Sequence, residues 1–191
     1  MHRRWLGAVV LAALVAHAIS MGRANLPHLL WSCHVASATL AVGMLLGRRA
    51  PVAAGFLFHL AIGFPAWGME VIATEGRFGA LEVTPHILVT SALAHVLPPL
   101  TAALWLWPPR LPRSAPWWAW LIQVGMVPVA RWATPPEFNI NLAYSVYEPL
   151  RASFPSWLAF QAVASLVTLG SAVLIYGVLS RRFPKPPATD H

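Results

Sequence analysis

The sequence predicts an all-α membrane protein, a single integral membrane domain over residues 1–191. The expected architecture is a bundle of six transmembrane helices with both termini cytoplasmic. Three observations lead there. Of the residues, 58% are hydrophobic and 10% charged, with a mean hydropathy of +0.61, whereas soluble domains average roughly 25% charged. A chain this poor in charge cannot coat a globule with polar surface. Its apolar residues fall into six runs, at about 5–22, 27–46, 52–73, 84–107, 116–131 and 156–180, and a helix needs about 20 such residues to cross a bilayer core. The 13 basic residues alternate in density between the intervening segments. Arg3, Arg4, Arg48, Arg49, Arg110, Arg113, Arg181, Arg182 and Lys185 fall on one side, and Arg23, Arg77, Arg131 and Arg151 on the other, nine against four. Basic residues collect on the cytoplasmic side of a membrane, which sets the orientation.

The first run follows Met1-His2-Arg3-Arg4 and ends near Ala16-His17-Ala18. It reads as a retained first span, or as a secretory signal with a small-residue cleavage site. The second opens on Leu26-Pro27-His28-Leu29-Leu30-Trp31-Ser32-Cys33-His34, which holds the only cysteine and two of the eight histidines. Read as a continuous helix, it puts His28 at the interface and Cys33 and His34 roughly 9–10 Å below it. The third run carries His59 near its middle and Glu70 near its outer end.

In the fourth run His86 lies at the interface and His95 about 16 Å in. At about 100° per residue the two face opposite sides of the helix. His95 shares its stripe with Ser91, Leu88 and Thr84, half of it polar, which suits a face turned to protein or water. Pro98-Pro99 should kink this span just after His95. The fifth run is short, begins Pro116-Trp117-Trp118 and is expected to be tilted or half-buried. The segment 132–155 carries Glu137, Asn139, Asn141, Tyr144, Tyr147 and Glu148 among aromatic and aliphatic residues, so a short helix or lid over the outer face is expected. Trp105, Trp107, Trp117, Trp118, Trp132 and Trp157 lie near span ends, where indoles anchor to the interface.

Several chemistries are excluded. One cysteine makes neither an internal disulfide nor a four-thiolate metal site. No Gly-rich phosphate loop and no G-x-S-x-G occurs. The net charge of +7 is scattered between apolar runs, which is topology signalling and not a nucleic-acid surface. What stays is a set of ionisable groups in or near spans, where hydrocarbon makes them costly and hence functional candidates. A lone membrane cysteine is commonly a packing residue, and imidazoles such as His28 and His86 are commonly at ease at an interface. No pair has a compact spacing such as H-x-x-x-H, so any metal site must be assembled between helices.

The stretches Leu26 to His34, Ala94-His95-Val96-Leu97-Pro98-Pro99-Leu100 and Phe138-Asn139-Ile140-Asn141-Leu142-Ala143-Tyr144 resemble the YwaF-like family of integral membrane proteins, relatives of the eukaryotic ether-phospholipid acyltransferases. Ala94 and Val96 replace the family's Ser and Gly around the histidine, and His34 replaces a usual Asp or Asn. The resemblance implies a lipid-modifying enzyme, by acyl transfer or hydrolysis, with Cys33 as nucleophile and His95 as base. It further implies substrate or oxyanion contacts from His34, Asn139, Asn141 or Tyr144, membrane lipids as partners and no cofactor.

A second reading from the residues is a subunit binding a transition metal, haem or quinone through His17, His28, His34, His59 and His86 with Glu70. A third is an accessory or transport subunit, as a homo-oligomer or with a membrane-protein partner. The Ala, Arg, Pro and Trp bias associates the chain with a bacterial inner membrane, where it would be multi-pass.

Overall fold

The computed structural model describes residues 3–73, 84–146 and 148–183, without the side chains of residues 73, 148 and 149. The first two residues, Arg77, Tyr147, Lys185 and the Glu148 side chain lie outside it. The described chain is all-helical, with no strand. It forms α1 (Trp5–Met21), α2 (Ser32–Leu46), α3 (Arg49–Phe58), α4 (Phe64–Ala73), α5 (Pro85–Leu106), α6 (Ala115–Ala133) and α7 (Trp157–Arg182). Each of the six predicted runs is helical, and local chemistry accounts for most of the ends. Pro85 and Pro116 stand in first turns, where a missing N–H costs nothing. Gly47 closes α2 with φ 69°, a left-handed conformation that favours glycine. The Ser156 side chain caps α7 by accepting from the Ala159 N–H at 3.1 Å.

Three described helices are long and apolar enough to cross a membrane: Arg49–Ile72, Pro85–Leu106 and Trp157–Arg182. A fourth exists if Arg23–Leu30 and Ser32–Leu46, bent by 75°, count as one span. Helix α1 is apolar but has only 17 residues, and α6 is not among the three. The second run is therefore not the continuous helix expected. Residues Arg23–Leu30 form a 3₁₀ helix containing Pro27, and Trp31 is extended at φ −58°, ψ 136°. The α-helix starts only at Ser32, so Cys33 lies in its first turn and the depth derived from a straight helix does not hold. The third run stays one rod, but α3 and α4 are joined by a π turn over His59–Gly63, closed by the Phe64 N–H on the His59 carbonyl. Pro98 and Pro99 sit inside a single α5.

Helix α1 packs on α2 and α5, α2 on α3, α3 on α6, and α6 on α7. The core runs through Leu6, Val10, Leu40, Met44, Leu57, Phe58 and Leu106. Contacts are close because small residues meet there: a Cβ on Gly55 would lie 2.6 Å from the Ala36 carbonyl, and one on Gly7 2.5 Å from that of Ala41. Helix α7 exposes Leu158, Leu166, Leu174 and Val178 and buries only Phe160, Thr168 and Ala172. At the opposite end from the 134–156 segment, Arg3 donates to the Leu104 carbonyl, and Arg49 to those of Leu106 at 3.3 Å and Arg110 at 3.2 Å. These guanidiniums satisfy carbonyls at and beyond the end of α5.

The 134–156 segment is three 3₁₀ turns, Pro136–Phe138, Ile140–Leu142 and Glu148–Ser153. Ile140 and Ala143 are fully buried against Ala130, Leu30, Trp31 and Val127. The stretch from Phe138 to Tyr144, part of the segment expected as a short helix or lid, thus packs down onto α6 and the residues before α2.

Gly55→Leu should drive α2 and α3 apart at a cost of about 1–3 kcal/mol, the usual range for overpacking. Gly125→Leu, where no atom lies within 4 Å of an added Cβ, should be tolerated. Thermal unfolding of both variants in detergent checks the pair; equal melting temperatures would overturn the packing argument.

Candidate functional site

The site is built at the start of α2. A helix begins with unpaired N–H groups, and here the partner comes from far along the chain. The Asn141 Oδ1 accepts from the Ser32 N–H at 2.7 Å and from the Ser32 hydroxyl at 2.8 Å. Its Nδ2 donates to the Leu30 carbonyl at 2.8 Å and to that of Met126 at 3.3 Å. All the hydrogen-bonding groups of one buried carboxamide are therefore engaged, its oxygen at the start of α2 and its nitrogen on carbonyls before α2 and in α6. Asn141 does so at φ 56°, a left-handed conformation that asparagine tolerates better than most residues. Cys33 and His34 follow directly in the first turn.

Helix α5 brings His95 against this turn. The Cys33 Sγ lies 3.1 Å from His95 Nε2. On its other side the ring's Nδ1 donates to the Ser91 carbonyl at 2.8 Å. A carbonyl only accepts, so Nδ1 holds the proton of the neutral ring, and Nε2 presents a lone pair to the thiol. The ring is clamped further by Trp67, stacked on it at 5.1 Å and 14°, whose Nε1 donates to the Ser91 hydroxyl at 2.9 Å.

His34 repeats the arrangement. Its Nδ1 donates to the His28 carbonyl at 2.9 Å, leaving Nε2 bare, buried and without a hydrogen-bond partner. His34 and His95 are 6% and 4% exposed, and their rings are 5.2 Å apart. One ligand-type atom from each of Cys33, His34 and His95 lies within 4.8 Å of the other two. Among the described residues no other three His, Cys, Asp or Glu groups come so close.

The chain has no match among family models, curated proteins or solved structures. Its geometry has to speak for itself.

The six groups His17, His28, His34, His59, Glu70 and His86, taken together as a ligand set, do not assemble. The His17 ring touches that of His34 at 5.1 Å, but its Nδ1 pairs with Thr90 Oγ1 at 3.1 Å. His28 lies outside the α-helix and accepts from Trp31 Nε1 at 3.2 Å. His59 is fully buried and bonds Ser37 Oγ at 2.8 Å. His86 is exposed and pairs with the Thr84 hydroxyl at 3.0 Å. Glu70 is half-buried on α4, and no three of the six form a cluster.

Asn139 and Tyr144, like Asn141, are engaged in the lid itself. Asn139 Oδ1 accepts from the N–H groups of Tyr144 and Ser145, both at 3.0 Å. The Tyr144 hydroxyl closes the end of α6 on the carbonyls of Arg131 and Thr134, both at 2.6 Å. Sequence reasoning missed Trp67. Its one signal is that it lies inside an apolar run, unlike the tryptophans that mark run ends.

Asn141→Ala removes the partner of the α2 N-terminus. Losing such a cap costs about 0.5–2 kcal/mol, and the first turn should fray. Cys33, the only thiol, should then react faster with a maleimide, and the melting temperature should fall. Labelling at the wild-type rate would show that the turn holds without Asn141.

Proposed function

We propose that this chain is a multi-pass inner-membrane enzyme that cleaves or transfers acyl esters of membrane lipids through Cys33, with His95 as its base. The contact of Cys33 Sγ with the lone pair of His95 Nε2 at 3.1 Å carries the reading. A nucleophile next to a base, with the base oriented by a third group, is the arrangement that activates a weak nucleophile. The Ser91 carbonyl is that third group here.

In the first step Cys33 Sγ attacks the ester carbonyl carbon while His95 Nε2 takes the thiol proton. The C–O bond breaks, the proton passes to the departing lipid alcohol, and an acyl thioester stays on Cys33. In the second step a water or a lyso-lipid hydroxyl gives its proton to Nε2 and attacks the thioester. The acyl group leaves on that oxygen, and the proton returns to sulfur. An apolar groove of about 620 Å³ between α1 and α2, walled by Leu11, Leu14, Val15, Val42 and Leu46 with His34 in its lining, suits the acyl chain.

The resemblance to the YwaF-like family points the same way. So does topology: six spans with both ends cytoplasmic would put the lid on the outer side, and the nine-to-four bias of basic residues supports that orientation.

Incubated with phospholipid, the purified protein should gain the mass of one acyl chain, removable by hydroxylamine. Cys33→Ala should gain none and lose lipid turnover; His95→Gln should slow acylation by about 10²–10⁴-fold, the usual worth of a general base. Turnover by Cys33→Ala at the wild-type rate would sink the proposal. For the topology, alkaline phosphatase fused after Ala152 should be active and fused after Pro112 silent; the reverse pattern would invert the orientation.

A further inference from the structure

We propose that Cys33, His34 and His95 form a binding site for a single Zn²⁺ ion, with a fourth position left open. The observation behind it is separate from the thiol–imidazole contact. His34 Nε2 is a buried lone pair with no donor to satisfy it. A buried polar atom without a partner costs about 1–3 kcal/mol, and a cation supplies the missing partner. His34 belongs to a three-residue cluster in which one ligand-type atom of each residue lies within 4.8 Å of the other two.

The support behind these rings fits a metal site. Ligating histidines generally hold their second ring nitrogen on a carbonyl or carboxylate, which sets the tautomer and aims the other nitrogen. His95 does this through Ser91 and His34 through His28, at 2.8 and 2.9 Å. Both rings therefore offer Nε2 without rearranging protons. In a tetrahedral zinc site, bond lengths of about 2.0–2.3 Å put donors about 3.3–3.6 Å apart. The Cys33–His95 separation of 3.1 Å and the 4.8 Å limit on the cluster bracket that spacing.

The donor set chooses the ion. Two imidazoles and a thiolate suit a borderline metal, whereas magnesium and calcium require oxygen ligands. No carboxylate belongs to the cluster. Three protein ligands leave the fourth position to water or substrate, as in catalytic rather than structural zinc sites. Binding releases the Cys33 thiol proton to solvent as the thiolate bonds the ion. While bound, the ion covers the sulfur.

Full-length protein in detergent should retain about one equivalent of Zn²⁺ after gel filtration. Co²⁺ in its place should give the intense near-ultraviolet band of a thiolate–cobalt bond, assignable because Cys33 is the only cysteine. Zn²⁺ should block maleimide labelling of Cys33, and a chelator should restore it. His34→Ala should weaken Zn²⁺ binding by more than the about 10–100-fold that losing a mere supporting partner costs. The cobalt and labelling readouts use the wild-type chain, so they stand even where a variant misfolds. A cobalt spectrum without the thiolate band, or labelling indifferent to Zn²⁺, overturns the inference. A chain that binds no Zn²⁺ when offered it, yet forms the acyl thioester, would overturn this site and leave the enzyme reading intact. A zinc-loaded chain that forms no thioester after chelation would do the reverse.

Discussion

Helix α2 begins at Ser32 because the Asn141 carboxamide takes that residue's backbone N–H and hydroxyl. Everything distinctive about the centre follows from that start. The same carboxamide donates to the Leu30 and Met126 carbonyls, so one side chain ties the end of the 3₁₀ segment, the start of α2 and the body of α6 together. Without that partner the first turn would fray, and Cys33 and His34 would lose the positions that hold them beside His95. The lid is thus less a cover than a clamp: its buried Ile140 and Ala143 seat it, and Asn141 caps the helix below.

The second constraint is proton placement. Buried imidazoles are useful when one nitrogen is held and the other is free. His95 and His34 both meet that condition through backbone carbonyls, which cannot donate and so leave no choice of tautomer. The His95 lone pair faces the Cys33 thiol, whereas that of His34 is left without a partner. Neighbouring groups support this without joining it. Trp67 covers one face of His95, and Ser37, bonded to His59, also donates to the Cys33 carbonyl at 2.9 Å.

A buried polar cluster needs a rigid surround, and the bundle supplies it by close backbone packing at Gly7 and Gly55. Helix α7 stands apart, with most of its apolar side chains facing outward. Its sequence reads as a span on hydropathy alone, and its packing agrees: a helix apolar all round with few protein neighbours belongs in lipid or against another chain.

Much of the fold was legible in the amino-acid sequence. Hydropathy located all six helical stretches, because length and apolarity are local properties. The polar stripe of His95 and Ser91 marked a face turned inward, and the opposite placement of His86 held. The break before Ser32 was not legible. Pro27 permits it but does not require it, and the group that stabilises the α-helix start lies 109 residues away. The same distance in sequence hid the cluster. Cys33 and His34 are adjacent in the chain and about 100° apart around a helix, yet both lie beside His95 because they occupy a largely buried first turn that α5 packs against. Composition and hydropathy marked out a helical chain with stretches apolar enough to cross a membrane and with histidines among them. Only tertiary structure decided which of them meet the single cysteine, because side chains from separate helices are brought together by packing and long-range hydrogen bonds that leave no periodic trace in the sequence.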